Sequence, residues 1–213
     1  MKANEIFTMS KDGKSEYCCN VVRIGEIKPI EGKDKIATTI INGETIVIRK
    51  DQVKEGDIMF YASNECQLNA MFLSKNNLYE IGERERNSNA VEVCALMDEG
   101  KVQEAKSKVG YFNKYGRVRM IRLGGVLSMG YLFSKEEVEN FCPKVADVNL
   151  EDIINKDFDT VDGQLFVKAY VPPVKEQRGG GNKGEKAARK AKKKFDRLVP
   201  GQFAFHYDRI SVA

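Results

Sequence analysis

The spacing of hydrophobic and polar positions in the first third of the chain is typical of short β-strands. Residues 20–28 are rich in β-branched side chains, and residues 35–41, 44–49 and 58–62 continue the pattern between turn residues. Asn42-Gly43 separates the second run from the third. A tight hairpin turn needs positive φ at both central positions, which Asn and Gly tolerate. The pattern therefore predicts four strands, with a hairpin between the second and the third.

Short helices are predicted in the middle of the chain. Residues 67–75 place Leu68, Met71 and Phe72 on one helical face, and residues 91–108 read as a helix interrupted at Gly100. A further short helix is predicted after residue 134, where a serine is followed three positions later by a glutamate. That spacing is a capping box, in which the two residues bond each other's backbone N–H groups.

Strands return in the second half, at residues 117–123, 129–133 and 164–170. Many short strands with glycine at the bends favour a small barrel. We therefore expect a mainly β fold with short helices over residues 19–174, preceded by a flexible N-terminus, residues 1–18.

Charge is distributed unevenly along the chain. Residues 175–197 carry ten Lys or Arg against three Asp or Glu, whereas the whole chain has a net charge of only +4. We expect a basic, partly helical linker there, with phosphate contacts from Lys190, Lys192, Lys193 and Lys194. A plain solvated spacer is the open alternative.

Metal, membrane and thiol chemistry find little support. The five cysteines include no C-x-x-C pair, and the chain has a single histidine, His206. A zinc site needs about four clustered ligands, so we expect no metal site and reduced, partly buried thiols. The sequence also lacks an apolar run of about 18 residues, the length needed to span a membrane. We therefore expect no membrane partner and a cytoplasmic location.

Two runs resemble OB domains of the tRNA-binding type. The first is residues 22–37, with Asp34-Lys35-Ile36, and the second is residues 122–132, with Gly124-Gly125. Taken in serial order with the intervening segments, residues 20–208 resemble the N-terminal module of ATP-dependent RNA ligases of the Deinococcus type, including phage and gut-bacterial relatives. The resemblance implies an OB-type small β-barrel that binds RNA or a nicked duplex.

The same resemblance implies that catalysis belongs to a different domain. Residues 198–213 are similar to the start of a nucleotidyltransferase domain that would follow in cis and use ATP and Mg²⁺. Such ligases carry a Lys-x-Asp-Gly or Lys-x-His-Gly nucleophile motif. Here Asp162-Gly163 follows Thr160 in place of lysine, and Lys11-Asp12-Gly13 lacks the spacer residue. We therefore expect no catalytic residue and no cofactor in this chain, and no enzyme activity of the chain alone.

Nucleic-acid binding is the chemistry that the residues favour, because OB barrels combine a positive groove with aromatic stacking. Besides the linker lysines, the candidates are Lys33, Lys35, Arg49, Lys50, Tyr111, Tyr115, Arg117, Arg119 and Arg122, with Phe112 nearby. Surface arginines are common on strands, however, and Tyr111 and Phe112 are equally compatible with a core position. The rival function is a stand-alone OB adaptor that binds tRNA-like RNA or a protein partner. An enzyme with unrecognised chemistry has no residue in its favour.

Overall fold

Short strands dominate residues 2–173, the part of the chain that the computed structural model describes. In chain order the strands are β1 (Phe7–Thr8), β2 (Cys19–Arg23), β3 (Lys28–Ile30), β4 (Lys33–Ile41), β5 (Glu44–Arg49), β6 (Ile58–Ala62), β7 (Cys66–Leu68), β8 (Ile121–Leu123), β9 (Val126–Ser128), β10 (Tyr131–Phe133), β11 (Asp157–Phe158), β12 (Thr160–Val161), β13 (Gln164–Leu165) and β14 (Val167–Ala169). The prediction of a mainly β fold with short helices is confirmed for these residues.

Five short α-helices lie between these strands: α1 (Ala3–Ile6), α2 (Ala70–Lys75), α3 (Ala90–Asp98), α4 (Val102–Ser107) and α5 (Lys135–Phe141). Short 3₁₀ segments occur in the described residues at Ser15–Tyr17, Ile81–Arg86, Pro143–Asp147 and Leu150–Ile153, and the second of them is kinked at Glu83. The described residues up to Tyr170 belong to one compact unit.

The strands pair in five small antiparallel sheets. Their orders are β10-β6-β2-β11, β3-β4-β5, β1-β12-β13, β14-β7 and β8-β9. In the described residues these pairings do not form a single closed sheet, so the predicted OB-type barrel is not confirmed.

Two of the sheets are nevertheless linked through the segment that joins β9 to β10. Met129 N–H donates to Thr45 O at 2.9 Å, and Val47 N–H donates to Ser128 Oγ at 2.9 Å. The order of strand neighbours therefore runs β3, β4, β5, β9, then through residues 129–130 to β10, β6 and β2.

Strands β2 and β6 separate two hydrophobic cores, because successive side chains of a strand point to opposite faces. Cys19 and Val21 belong to the main core, whereas Val22 and Ile24 belong to the second core. The main core is rich in phenylalanine: the rings of Phe7, Phe60, Phe72, Phe133, Phe158 and Phe166 form a connected cluster. The second core consists of Val22, Ile24, Ala37, Ile41, Ile46, Ile48, Val53 and Tyr61.

Three local predictions are confirmed. Asn42 and Gly43 have φ values of 50° and 82° and connect β4 to β5. Both hydrogen bonds of the capping box between Ser134 and Glu137 are formed at the start of α5. The break predicted at Gly100, where φ is 76°, separates α3 from α4.

The N-terminus differs from the prediction of a flexible segment over residues 1–18. Helix α1 and strand β1 lie within it, Phe7 is fully buried, and β1 pairs with β12. Ser10 donates to the Asp159 carboxylate from its N–H at 2.7 Å and from its hydroxyl at 2.5 Å. The polar composition of this segment hid its buried apolar residues, among them Ala3, Ile6 and Phe7.

Two other element bounds also differ. The helix expected over residues 67–75 begins only at Ala70, because Cys66–Leu68 pairs with β14 as strand β7. Of the strand expected over residues 117–123, only Ile121–Leu123 is formed. Long-range pairing decides the first case, and such pairing leaves no local signal in the sequence.

Candidate nucleic-acid interface

Four of the predicted cationic residues meet at the end of the β4–β5 hairpin opposite its turn. Lys33 and Lys35 begin β4, Arg49 and Lys50 lie at the end of β5, and all four are exposed. Lys50 N–H donates to Lys35 O at 3.1 Å, and Lys50 Nζ donates to Lys33 O at 3.3 Å. These four residues and the exposed Arg122 are called the basic strip below.

Arg122 joins the basic strip because the tip of the β8–β9 hairpin rests on the start of β4. A Cβ atom at Gly124 would lie 2.7 Å from Ile36 Cδ1 and 3.4 Å from Lys33 Cγ, and φ at Gly124 is 58°. Only glycine fits this approach without strain. Arg122 Nη1 donates to Gly125 O at 2.8 Å, which holds the guanidinium at the hairpin tip.

One carboxylate already pairs with a member of the basic strip. Arg49 Nε and Nη2 donate to the Asp51 carboxylate at 3.2 and 2.8 Å. This hydrogen bonding holds the pKa of Asp51 below its usual value, and the charge of Lys35 contributes in the same direction. Exposed pairs of this kind contribute little to stability, so a phosphate could replace the carboxylate without loss of the fold.

Tyr115 and Arg117 form a separate group with Tyr170. Arg117 Cζ lies 4.8 Å from the centroid of the Tyr170 ring, and its Nη2 donates to Glu65 Oε1 at 2.5 Å. The Tyr115 and Tyr170 rings are 6.2 Å apart at their centroids. The sequence analysis named the first two residues and missed Tyr170, which lies more than 50 positions further along the chain.

Tyr111 and Arg119 lie against the main core. The Tyr111 ring stacks on the fully buried Phe112 ring at 4.6 Å, and burial raises the pKa of Tyr111. Arg119 Nη2 donates to Tyr111 O at 3.2 Å and pairs with Glu80 at 3.8 Å. The Tyr111 ring is therefore covered on one face. The other candidates, Lys190, Lys192, Lys193 and Lys194, lie outside the described residues.

The sequence analysis missed a cleft of ≈ 650 Å³ that adjoins the basic strip. Strand β5, the β8–β9 hairpin, β10, the first turn of α5 and Tyr111 line it, and Arg49 belongs to both the cleft and the basic strip. The alternation of apolar Ile121 and Leu123 around Arg122 was visible in the sequence. The strands that line the cleft together with Ile121 and Leu123 could not be identified from the sequence. Nothing in the sequence therefore indicated a cavity beside these two apolar residues.

Carboxylates define one end of the cleft, at the start of α5. Glu137 Oε2 accepts the Ser134 N–H at 2.7 Å, and Tyr131 OH donates to Glu137 Oε1 at 3.4 Å. Burial raises the pKa of Glu137. Glu136, on the same turn, is exposed at the cleft margin. The cleft thus has a cationic end at Arg49 and an acidic end at α5.

Carboxylates and thiols are the possible metal ligands among the described residues. Within residues 2–173 there is no group of three or more His, Cys, Asp or Glu that could hold a metal ion. A polar pocket of ≈ 420 Å³ contains two carboxylates, Glu44 and Asp157, but Tyr61 OH donates to the first and the Asn20 amide to the second. Burial raises the pKa of the Cys66 thiol to about 11, so this thiol is protonated at neutral pH.

Helices in the described part of the chain are all too short or too polar to cross a bilayer.

Comparison with known proteins gives a partial likeness to RNA ligases. No protein-family profile and no curated protein sequence matches the chain. Among solved structures, a Naegleria gruberi RNA ligase variant with AMP and Mn is 22% identical, with a TM-score of 0.42, over 75% of this chain and 36% of that one. The same organism's RNA ligase with PPi is 20% identical, with a TM-score of 0.39, over 76% and 37%. The chain thus spans little more than a third of these ligases, and a likeness of this degree does not define a shared function.

Proposed function

We propose that this chain contains the nucleic-acid-binding module of an ATP-dependent RNA ligase. The module would hold an RNA end or a nicked duplex for strand joining by a nucleotidyltransferase domain in cis, in the cytoplasm. ATP and Mg²⁺ would belong to that domain. The observation that carries the binding part is that Lys33, Lys35, Arg49, Lys50 and Arg122 are all exposed and lie on the adjoining ends of two hairpins.

The order of strand neighbours supports an OB-type module. An OB fold is a five-stranded, partly open barrel whose β-strands and connecting loops bind oligonucleotides. If residues 19–30 count as one bent strand and residues 126–133 as another, the neighbours follow the order first, second, third, fifth, fourth and first. The second core lies inside this circuit.

The ligase part rests on the sequence resemblance over residues 20–208, and the solved structures with partial likeness are described as RNA ligases. Residues 1–213 contain no Lys-x-Asp-Gly or Lys-x-His-Gly motif, and we therefore assign the lysine that would form the adenylate to the domain in cis. A coding sequence with such a motif shortly after Ala213 would support the ligase. A stop codon there would favour the rival, a stand-alone OB adaptor for tRNA-like RNA or a protein partner.

The binding proposal predicts a salt-dependent affinity for RNA. Each phosphate neutralised by Lys or Arg releases counterions, with a slope of log K on log salt of about −0.7 per contact for single strands. Replacing Lys33, Lys35 and Lys50 by Ala should therefore reduce the slope by about 2 and weaken binding at low salt. Fluorescence anisotropy with single-stranded RNA and nicked duplex, over a salt series, measures both quantities.

The matched control replaces three exposed lysines of the helical region, Lys75, Lys101 and Lys106, by Ala. It makes the same change in net charge and should leave the slope unchanged. Absence of RNA binding by the native chain at low salt would exclude the proposed function. Equal loss in both triple variants would show that net charge, and not the basic strip, attracts the RNA.

A further inference from the structure

We propose that the cleft beside the basic strip receives one unstacked nucleobase of an RNA strand whose phosphates lie on that strip. This inference rests on the RNA binding proposed above and adds a substrate class to it: a strand with at least one unpaired base. The β8–β9 hairpin, the size of the cleft and the charges at its two ends all suit such a strand.

The β8–β9 hairpin presents different chemistry on its two faces. Ile121 pairs with Ser128 and Leu123 with Val126, and directly paired residues lie on the same face of an antiparallel ladder. Ile121, Leu123 and Ser128 accordingly all line the cleft, while Arg122 lies on the other face. One short strand therefore offers apolar walls to a base and, one residue away, a cation to the adjoining phosphate.

Size and wall chemistry suit a nucleoside. The volume of ≈ 650 Å³ falls within the range of small-ligand sites, about 300–1,000 Å³. Ile121, Leu123 and Leu132 supply apolar surface, and Tyr111 and Tyr131 supply aromatic surface. Proteins recognise single-stranded RNA by accepting unstacked bases on surfaces of this kind and by bonding the base edges.

The charges decide which part of a nucleotide enters. Glu136 and Glu137 at the α5 end would repel a phosphate, whereas Arg49 at the other end attracts one. A carboxylate accepts hydrogen bonds from the exocyclic amino group of a base. The base should therefore point towards α5 with its phosphate at Arg49. Bases with an amino group should bind better than uracil.

The test narrows the cleft from its rim. Leu123 is 42% exposed, lines the cleft and belongs to neither core, so Leu123→Trp adds bulk at the cleft rim. Leu165→Trp is the matched control, because Leu165 is 45% exposed on a strand and does not line the cleft. Anisotropy would compare a single-stranded cytosine-rich RNA, a uracil-only RNA and a fully paired blunt duplex. We expect Leu123→Trp to weaken the affinity for cytosine-rich RNA at least tenfold and to leave the affinity for the duplex unchanged. Leu165→Trp should leave the affinities for all three RNAs unchanged.

The outcomes separate this inference from the function on which it rests. Native protein that binds none of the RNAs would remove the proposed function itself. If Leu123→Trp leaves salt-dependent RNA binding unchanged, only the proposal for the cleft is overturned. The same holds if Leu123→Trp weakens binding of single-stranded RNA and of duplex equally. It also holds if the native protein binds uracil-only RNA as tightly as cytosine-rich RNA. If Leu123→Trp fails to fold, photo-crosslinking of native protein to 6-thioguanosine RNA decides. Crosslinks at Tyr111 or Leu132 are expected, and crosslinks confined to residues outside the cleft would overturn the inference.

Discussion

Glu137 shows how one side chain can serve the fold and the candidate site together. Its carboxyl group completes the capping box of α5, accepts a hydrogen bond from the Tyr131 hydroxyl and lines the cleft. Burial raises the pKa of Glu137 above its usual value of 4.5, so the folded protein holds this proton more tightly than the unfolded chain does. The protonated Glu137 carboxyl therefore contributes fully to the free energy of unfolding below pH 4.5. This contribution is lost as the pH rises through the pKa of Glu137 in the folded protein.

Glu137→Gln should remove this pH dependence, because glutamine can still cap the helix but has no proton to lose. From pH 4.5 upward, the free energy of unfolding of the native protein should fall relative to that of the variant. Urea unfolding followed by circular dichroism at several pH values measures the difference. Glu136→Gln, on the exposed side of the same turn, is the control and should keep the native pH profile. Parallel curves for native protein and Glu137→Gln would contradict the burial argument.

At the scale of elements, the β4–β5 hairpin depends on the backbone of its turn. Gly43 has a φ of 82°, and a Cβ atom added there would meet nothing within 4 Å. Any penalty for a side chain is therefore conformational and does not come from a clash. Gly25 has equally open surroundings without a positive φ, which provides a comparison within the same chain.

Gly43→Ala should lower the free energy of unfolding by about 1–2 kcal/mol, the penalty for an L-residue in the left-handed region. Gly25→Ala should be neutral or stabilise by up to about 1 kcal/mol, because it reduces the freedom of the unfolded chain. Chemical denaturation of both variants tests the contrast. Equal effects would mean that the turn conformation does not limit the hairpin.

The β4–β5 hairpin shows which features of the structure can be predicted from the sequence. Turn and capping signals lie within four residues of one another, so the Asn42-Gly43 turn, the α5 cap and the break at Gly100 were readable. Once the turn fixes the register, Lys33 and Lys35 must lie near Arg49 and Lys50, and much of the basic strip follows. Strand β1, strand β7 and the cleft depend on partners distant in sequence, and no local pattern specifies those partners.

At the scale of the whole molecule, the chain has two basic regions, the basic strip and residues 175–197. The basic strip belongs to the unit Met1–Tyr170, whereas residues 175–197, for which a basic linker is predicted, lie outside the described residues, and their charges are read from the sequence. Both could contact the same polyanion, and the total salt dependence would then exceed that of the strip. The linker contribution is therefore a separate, measurable quantity.

Replacing Lys190, Lys192, Lys193 and Lys194 by Ala in the full chain should reduce the salt slope by about 3 if all four contact phosphates of a single strand. The measurement is the anisotropy salt series used for the basic strip. An unchanged slope would identify the linker as a solvated spacer. Combining this variant with the strip variant should give additive changes if the two regions contact different phosphates.

The pairing of β1 with β12 has a consequence for synthesis on the ribosome. Thr8 and Thr160 bond through their hydroxyls at 2.6 Å across 152 positions of sequence. At about 5–20 residues per second, the first strand waits roughly 10–30 s for its partner to be made. Throughout that interval the apolar side chains of Ile6 and Phe7 have no completed core to enter. The nascent chain therefore offers molecular chaperones a defined hydrophobic target at Ile6 and Phe7 until translation passes β12.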